Sequence, residues 1–373
     1  MTVPSSKPFV LHVDDEPDDL TPWKDEVQSQ GRIDIEVCHP QDVTEASLKK
    51  ASLVLVDFKI EKWPERASAL ALALRPPNGL AVLATLQEKA HELDPKRPRA
   101  YTLYTAVIQD VARELVHQPY IVARAHNLEW IFEKSGVENP IVDRAHRVAA
   151  LAGAVESLPK NWPGEDAASA TGALDKWLAL PDDALWRDAA TREIRRCRPP
   201  IHEFAEHTQG IGVVRWALHK ILPYPTFLID EAHLAARLRV SLQSLRSVAE
   251  SDEFAALFGA ARYTGQLASF LGRRWWRAGV EHAIFEATTD SPGDLGTLHN
   301  VLKQVPGIEV QKALRLFPVL GKQFKTKDEL ASEDAVVEVC PDDWPPFADE
   351  AWALRIDLED VPELKAIAVG DEH

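Results

Sequence analysis

The stretch FVLHVDDEPDD, residues 9–19, decides the reading of the first half of this chain. Phe9 to Val13 is an apolar run with strand character, and it ends in Asp14, Asp15 and Glu16, with Asp18 and Asp19 close behind. Packing asks for no such crowd of like charges. Either the carboxylates form a solvated turn, or a cation belongs among them.

Working outward, four more short apolar runs follow: IDIEVCH, SLVLVDF, AYTLYTA and LEWIFEK. Between them lie DDLTPWKDEVQSQG, PQDVTEASLKKA, NGLAVLATLQEKAHEL and AVIQDVARELVHQ, whose apolar spacing predicts helices. IVDRAHRVAALAGAVESL predicts a further helix closing the domain. Strand–helix alternation of this kind implies a parallel sheet covered on both faces. Such sheets carry their reactive groups beyond the carboxyl ends of the strands. Those ends bear Asp14, Asp15 and Glu16 on the first strand, Asp57 on the third, Thr105 on the fourth and Lys134 on the fifth. Carboxylates with water make a site for a hard divalent cation of the Mg²⁺ type. A cation so held neutralises an incoming phosphoryl group, with Asp57 as the attacking carboxylate and Thr105 and Lys134 as contacts to its oxygens.

VDDEP after a strand, VLVDF on the third, YTA on the fourth and EK on the fifth together resemble a response-regulator receiver domain, over residues 8 to 157. The resemblance implies a five-stranded, doubly wound, flavodoxin-like fold and phosphoryl acceptance on Asp57 from a histidine kinase or other phosphodonor. It implies Mg²⁺ held by Asp14, Asp15, Asp57 and the backbone carbonyl of Lys59, with Thr105 and Lys134 coupling phosphorylation to a conformational shift. NGLAVL, with Gly79, resembles the start of the family's third helix. Three departures stand out. The segment between Asp57 and Gly79 is about a dozen residues longer than usual for the family. Lys134 is followed by Ser135 rather than proline. The aromatic position three residues before the lysine is Ile131, flanked by Trp130 and Phe132.

The second half reads differently. PKNWPGEDAASATG (159–172) has linker composition, which sets expected boundaries at 1–157, a linker over 158–172, a mainly helical output domain over 173–330 and an acidic segment over 331–373. The run 266–287 reads as one helix, 293–330 as short helices broken by Pro306, Pro318 and Gly321, and AVVEVC and AWALRIDL as short strands. FLIDEAH (227–233) has the letters of a nucleotide-hydrolysing strand, but the chain holds no G-x-x-x-x-G-K-[ST] loop, so Asp230 reads as a helix cap. Residues 230–251 resemble a helix-turn-helix with few cations on its second helix, offering Gln243, Ser244, Arg246 and Ser247. HEFAEH (202–207) is one residue too long for a zinc helix. Arg273, Arg274 and Arg277 with Trp276 form a candidate patch for an anionic partner; the competing expectation pairs the arginines with the acidic tail and puts Trp276 in the core.

Composition bounds the rest. Lys and Arg less Asp and Glu leave −6 over residues 1–157, +1 over 158–330 and −11 over 331–373, which disfavours indiscriminate attraction to nucleic acid or anionic membrane. Cys38, Cys197 and Cys340 are scattered without metal spacing, and no apolar run reaches the length of a membrane span, so a cytoplasmic protein is expected. The expectation is a two-component signalling protein controlling a helical output domain without an evident active site. Its output would engage a protein partner and no membrane, with a homodimer left open. A DNA-binding regulator, a receiver kept as a docking module and an enzyme in the second half are the alternatives.

Overall fold

The five apolar runs become β1 (Phe9–Val13), β2 (Asp34–Cys38), β3 (Leu53–Asp57), β4 (Ala100–Thr105) and β5 (Trp130–Glu133), all parallel, in the order β2-β1-β3-β4-β5. The computed structural model describes residues 7–62, 76–106, 108–113, 115–116, 118–134, 140–159, 167–201, 210–289, 291, 293–313 and 315–370. Every residue of β1 and β3 is buried, because the sheet loses both faces to helices and both parities of side chain leave water. The covering helices are α1 (Thr21–Ser29), α2 (Glu45–Lys50), α3 (Gly79–Leu93), α4 (Ile108–Ala112), α5 (Pro119–Ala125) and α6 (Ile141–Glu156). The strand order reverses between β1 and β3, so the connections after these two strands leave in opposite directions and open a crevice at their carboxyl ends.

Local chemistry sets the helix ends. Asn78 caps α3, its side chain accepting from the Leu80 and Ala81 amides at 3.1 and 3.3 Å. Between β4 and β5 one helix was expected; the described residues hold two short ones. Pro119 cannot continue a helix from the residue before it, but it starts α5 well as its first residue.

The chain divides into two compact units that are not contiguous in sequence. The first comprises Met1–Leu178, Pro200–His219 and Gly265–Leu271; the second comprises Ala179–Pro199, Lys220–Thr264 and Gly272–His373. Within the first unit, downstream residues attach at β5. Glu129, fully buried just before that strand, accepts from Arg215 Nε at 2.5 Å and from the Tyr101 amide. His219 Nε2 lies 2.8 Å from the Glu129 carbonyl oxygen, and Phe270 packs edge-on against Trp130 and Phe132.

The second unit is helix-rich. Helices Glu231–Leu238, Leu242–Val248, Asp252–Phe258, Arg277–Ala287 and Leu295–Leu302 enclose a core that includes Leu234, Leu245, Phe254, Phe258 and Val280. Two expectations are corrected here. The run 266–287 is not one helix: Trp275–Trp276 is a strand paired antiparallel with Leu228–Ile229, and the helix begins only at Arg277. Pairing to a distant strand outweighs the helical spacing of these residues. Leu316–Leu320 and Thr326–Ser332, expected in broken helices, are strands of a four-stranded mixed sheet with Val336–Val339 and Ala351–Leu354. Pro318 is tolerated because the register shifts between it and Leu320.

No helix among the described residues is long and apolar enough to cross a membrane. Residues 63–75 of the long segment before Gly79, Ser135, residues 160–166 and the HEFAEH stretch lie outside the described residues.

Candidate functional site

Three acidic side chains meet at the carboxyl edge of the five-stranded sheet. Asp14 and Asp15 follow β1 and Asp57 ends β3; all three are buried, and each offers an oxygen within 4.8 Å of the others. Lys134, just past β5, reaches into this group, with Nζ 3.0 Å from Asp14 Oδ2 and 3.1 Å from Asp57 Oδ1. Its backbone amide donates to the Thr105 carbonyl at 2.6 Å, which fixes the strand end from which the side chain extends. Thr105 is itself 1% exposed at the end of β4.

Each carboxylate has distinct company. The Glu16 amide donates to Asp14 Oδ1 at 2.9 Å. Asp15 Oδ2 accepts from the amides of both Glu61 and Lys62 at 2.6 Å, tying the loop after β3 to the loop after β1. Lys62 Nζ lies 2.9 Å from both oxygens of Glu16 on the exposed rim. Burial pushes Asp57 up to about 6; the Asp14 charge adds to the rise and Lys134 opposes it. Burial also works against the Asp14 carboxylate, but Lys134 and the Glu16 amide outweigh it and hold Asp14 below the usual range. Three carboxylates against one ammonium leave an excess of negative charge in a partly desolvated crevice. Oxygen donors in that number fit a hard divalent cation of the Mg²⁺ type.

Close approach of the backbone shapes the crevice. A Cβ on Gly79 would stand 1.9 Å from the Asp57 carbonyl oxygen, so only glycine lets α3 begin this near β3. The Lys59 side chain turns to Asp110, 2.9 Å away, with both groups largely exposed.

The N-terminal sheet is a five-stranded parallel, doubly wound sheet of flavodoxin-like order. Four charged residues, Asp14, Asp15, Asp57 and Lys134, gather at its carboxyl edge. Solved structures similar to the chain include a response regulator receiver domain protein (CheY-like) from Methanospirillum hungatei JF-1, 17% identical with a TM-score of 0.27, covering 40% of this chain and 98% of that one. Response regulator ChrA of a heme-sensing two-component system is 15% identical with a TM-score of 0.26, covering 71% of this chain and 94% of its own. RcsB, solved as two dimers on two parallel DNAs, is 10% identical with a TM-score of 0.25, covering 57% and 99%. No family model matches the chain, and no curated protein matches it.

Beneath the acidic residues of the crevice lies a layer that sequence reasoning missed. His12 is fully buried, accepts from Trp23 Nε1 at 3.1 Å, and is lowered to about 3 by burial. Tyr104 stacks on Trp23 and lies 5.4 Å below Lys134 Nζ. The signal available was parity: His12 stands two residues before Asp14, which directly follows the same strand, and Tyr104 pairs with Asp57 in register. The flanking Trp130, Ile131 and Phe132 are all buried.

The second-half candidates are not gathered into an exposed surface. Trp276 is 1% exposed and stacks on Phe227. Arg274 is buried and bonds the Leu222 carbonyl at 3.0 Å. Arg273 pairs with Glu231 and Glu250 at 2.5 and 3.0 Å. Arg277 pairs with Glu193 at 2.9 Å and with Asp349 at 2.6 Å. Asp230 caps its helix, accepting from the His233 amide at 2.9 Å. In the helix-turn-helix-like stretch Ser244 is buried, contrary to the exposure expected of it, and bonds the Ser241 carbonyl at 2.9 Å. The one cation of that second helix, Arg246, is engaged by Glu231 and Asp328. Little charge is left there for a phosphate backbone.

Proposed function

We propose that the chain is a two-component signalling protein whose receiver unit accepts a phosphoryl group on Asp57. The observation that carries this reading is Lys134 held between Asp14 and Asp57 while Asp15 completes a three-carboxylate group. Asp14, Asp15 and Asp57, with the Lys59 backbone carbonyl, would hold Mg²⁺, which supplies positive charge against the phosphoryl oxygens. In the transfer, one Asp57 oxygen forms a bond to phosphorus as the bond from phosphorus to the donor breaks, and the donor leaves with that electron pair. Lys134 stabilises charge on the phosphoryl oxygens, and Thr105, at the neighbouring strand end, orders around the modified group. Lys134 then exchanges a carboxylate partner for a phosphoryl one, and β5 is the strand that feels the change. The output is interaction with a protein partner through the helix-rich unit.

Treatment of the full chain with a small-molecule phosphodonor and Mg²⁺ tests this. The expected result is a mass gain of one phosphoryl group in the parent and none in Asp57→Ala. A parent that gains no mass would reduce the receiver to a docking module.

A further inference from the structure

An aromatic surface lies under the ammonium that the acidic crevice holds. Tyr104, buried on β4, pairs in register with Asp57, and Lys134 Nζ stands over its ring, 5.4 Å from the centroid. Two further buried rings hold this one in place. Trp23 of α1 stacks on Tyr104 at 5.1 Å with the planes 28° apart, and His12 of β1 meets it edge-on at 5.1 Å. Trp23 Nε1 donates to His12 Nδ1 at 3.1 Å, which locks the two supporting rings together. Residues from β1, α1 and β4, distant in sequence, thus build one floor.

That floor differs in kind from the walls. Lys134 Nζ lies 3.0 Å from Asp14 and 3.1 Å from Asp57, two directed ionic hydrogen bonds. In the transfer Asp57 becomes an acyl phosphate, so the ammonium must turn from a carboxylate oxygen to a phosphoryl oxygen without leaving the crevice. A hydrogen-bond acceptor beneath it would compete for its N–H groups and tie it to one orientation. An aromatic face attracts a cation through the ring quadrupole and makes no demand on any single N–H. The ammonium can then change partner while its place is kept. The lysine stem is long and flexible, so without such a contact little else fixes where Nζ stands during the exchange.

Resting on the phosphoryl-acceptor reading, we propose that Tyr104 is a positioning residue for that reaction: its ring keeps the Lys134 ammonium beside Asp57 as the ammonium passes from carboxylate to phosphoryl oxygen. No proton is transferred in this step; the ammonium keeps its protons and exchanges only their acceptor. Trp23 and His12 serve by holding the ring.

The test is a double-mutant cycle on the full chain, with mass gain followed over time in acetyl phosphate and Mg²⁺. Tyr104→Leu should gain the phosphoryl group about tenfold more slowly than the parent, the scale of a partly desolvated cation–π contact. Tyr104→Phe, which keeps the ring, should recover most of the rate. On the Lys134→Ala background the leucine substitution should slow the reaction no further, because its effect passes through the ammonium. A residue that merely fills the core would slow both backgrounds alike. Phe9→Leu is the packing control: Phe9 is a buried ring at the far end of β1 from the crevice, 4.2 Å from Lys50 Nζ, and its variant should keep the parent rate. Tyr104→Met takes the place of the leucine variant if that chain does not fold. Equal rates for parent and Tyr104→Leu, or the same slowing with and without Lys134, overturn the inference and leave the phosphoryl-acceptor reading standing. A parent that gains no mass overturns that reading and this inference together.

Discussion

The acidic crevice of the first unit and the arginine-rich stretch 273–277 of the second are both dense in charge, yet they are opposite in kind. In the crevice one lysine serves two of three gathered carboxylates, and the third, Asp15, meets only backbone amides. Around 273–277 each exposed or half-buried arginine meets two carboxylates: Glu231 and Glu250 for Arg273, Glu193 and Asp349 for Arg277. A matched cluster holds a fold together and has no charge left for a ligand. An unmatched one costs stability and is retained where a ligand or a reaction supplies the missing charge. Charge density alone does not separate them; the balance within about 4 Å does.

Four substitutions test that contrast, in decreasing order of expected effect. Gly79→Ala drives a methyl group onto the Asp57 backbone and should cost about 3 kcal/mol in urea unfolding; a loss below about 1 kcal/mol would mean the crevice backbone is free to move. Arg277→Ala leaves Glu193 short of its cation and should cost about 2 kcal/mol, measured the same way; a neutral outcome would remove the matched cluster from the stabilising side.

Asp57→Asn should have the opposite sign. With metal chelated at neutral pH, we expect a gain of about 1 kcal/mol, since the charged form is the one that burial penalises. The native state binds this proton more readily than the unfolded chain, so the parent grows more stable as pH falls from above 6 toward 4. The advantage of the variant shrinks over the same window and is gone below it. A variant less stable than its parent at neutral pH would sink the account of an unmatched crevice. Arg262→Gln should change stability by less than about 1 kcal/mol, because Glu250 is largely exposed and keeps Arg273.

Much of the first unit was legible from local pattern. The five strands and the placement of Asp14, Asp15, Asp57, Thr105 and Lys134 follow from apolar runs and from what terminates them. Pro119 marked the helix start that was overlooked between β4 and β5. His12, Trp23 and Tyr104 were harder, because each is an ordinary core residue until register places it under Lys134. Trp275–Trp276 misled for a related reason: its strand pairing is with Leu228–Ile229, which no window around residue 275 contains.

The amino-acid sequence by itself determined which residue types stand at the strand ends, because burial of alternating apolar runs is a local demand that each segment states alone. Only the tertiary structure decided which charges are answered. The carboxylates on Arg273 and Arg277 come from 23 to 84 residues away. Coulomb attraction depends on separation in space, and a chain carries that information only once it is folded.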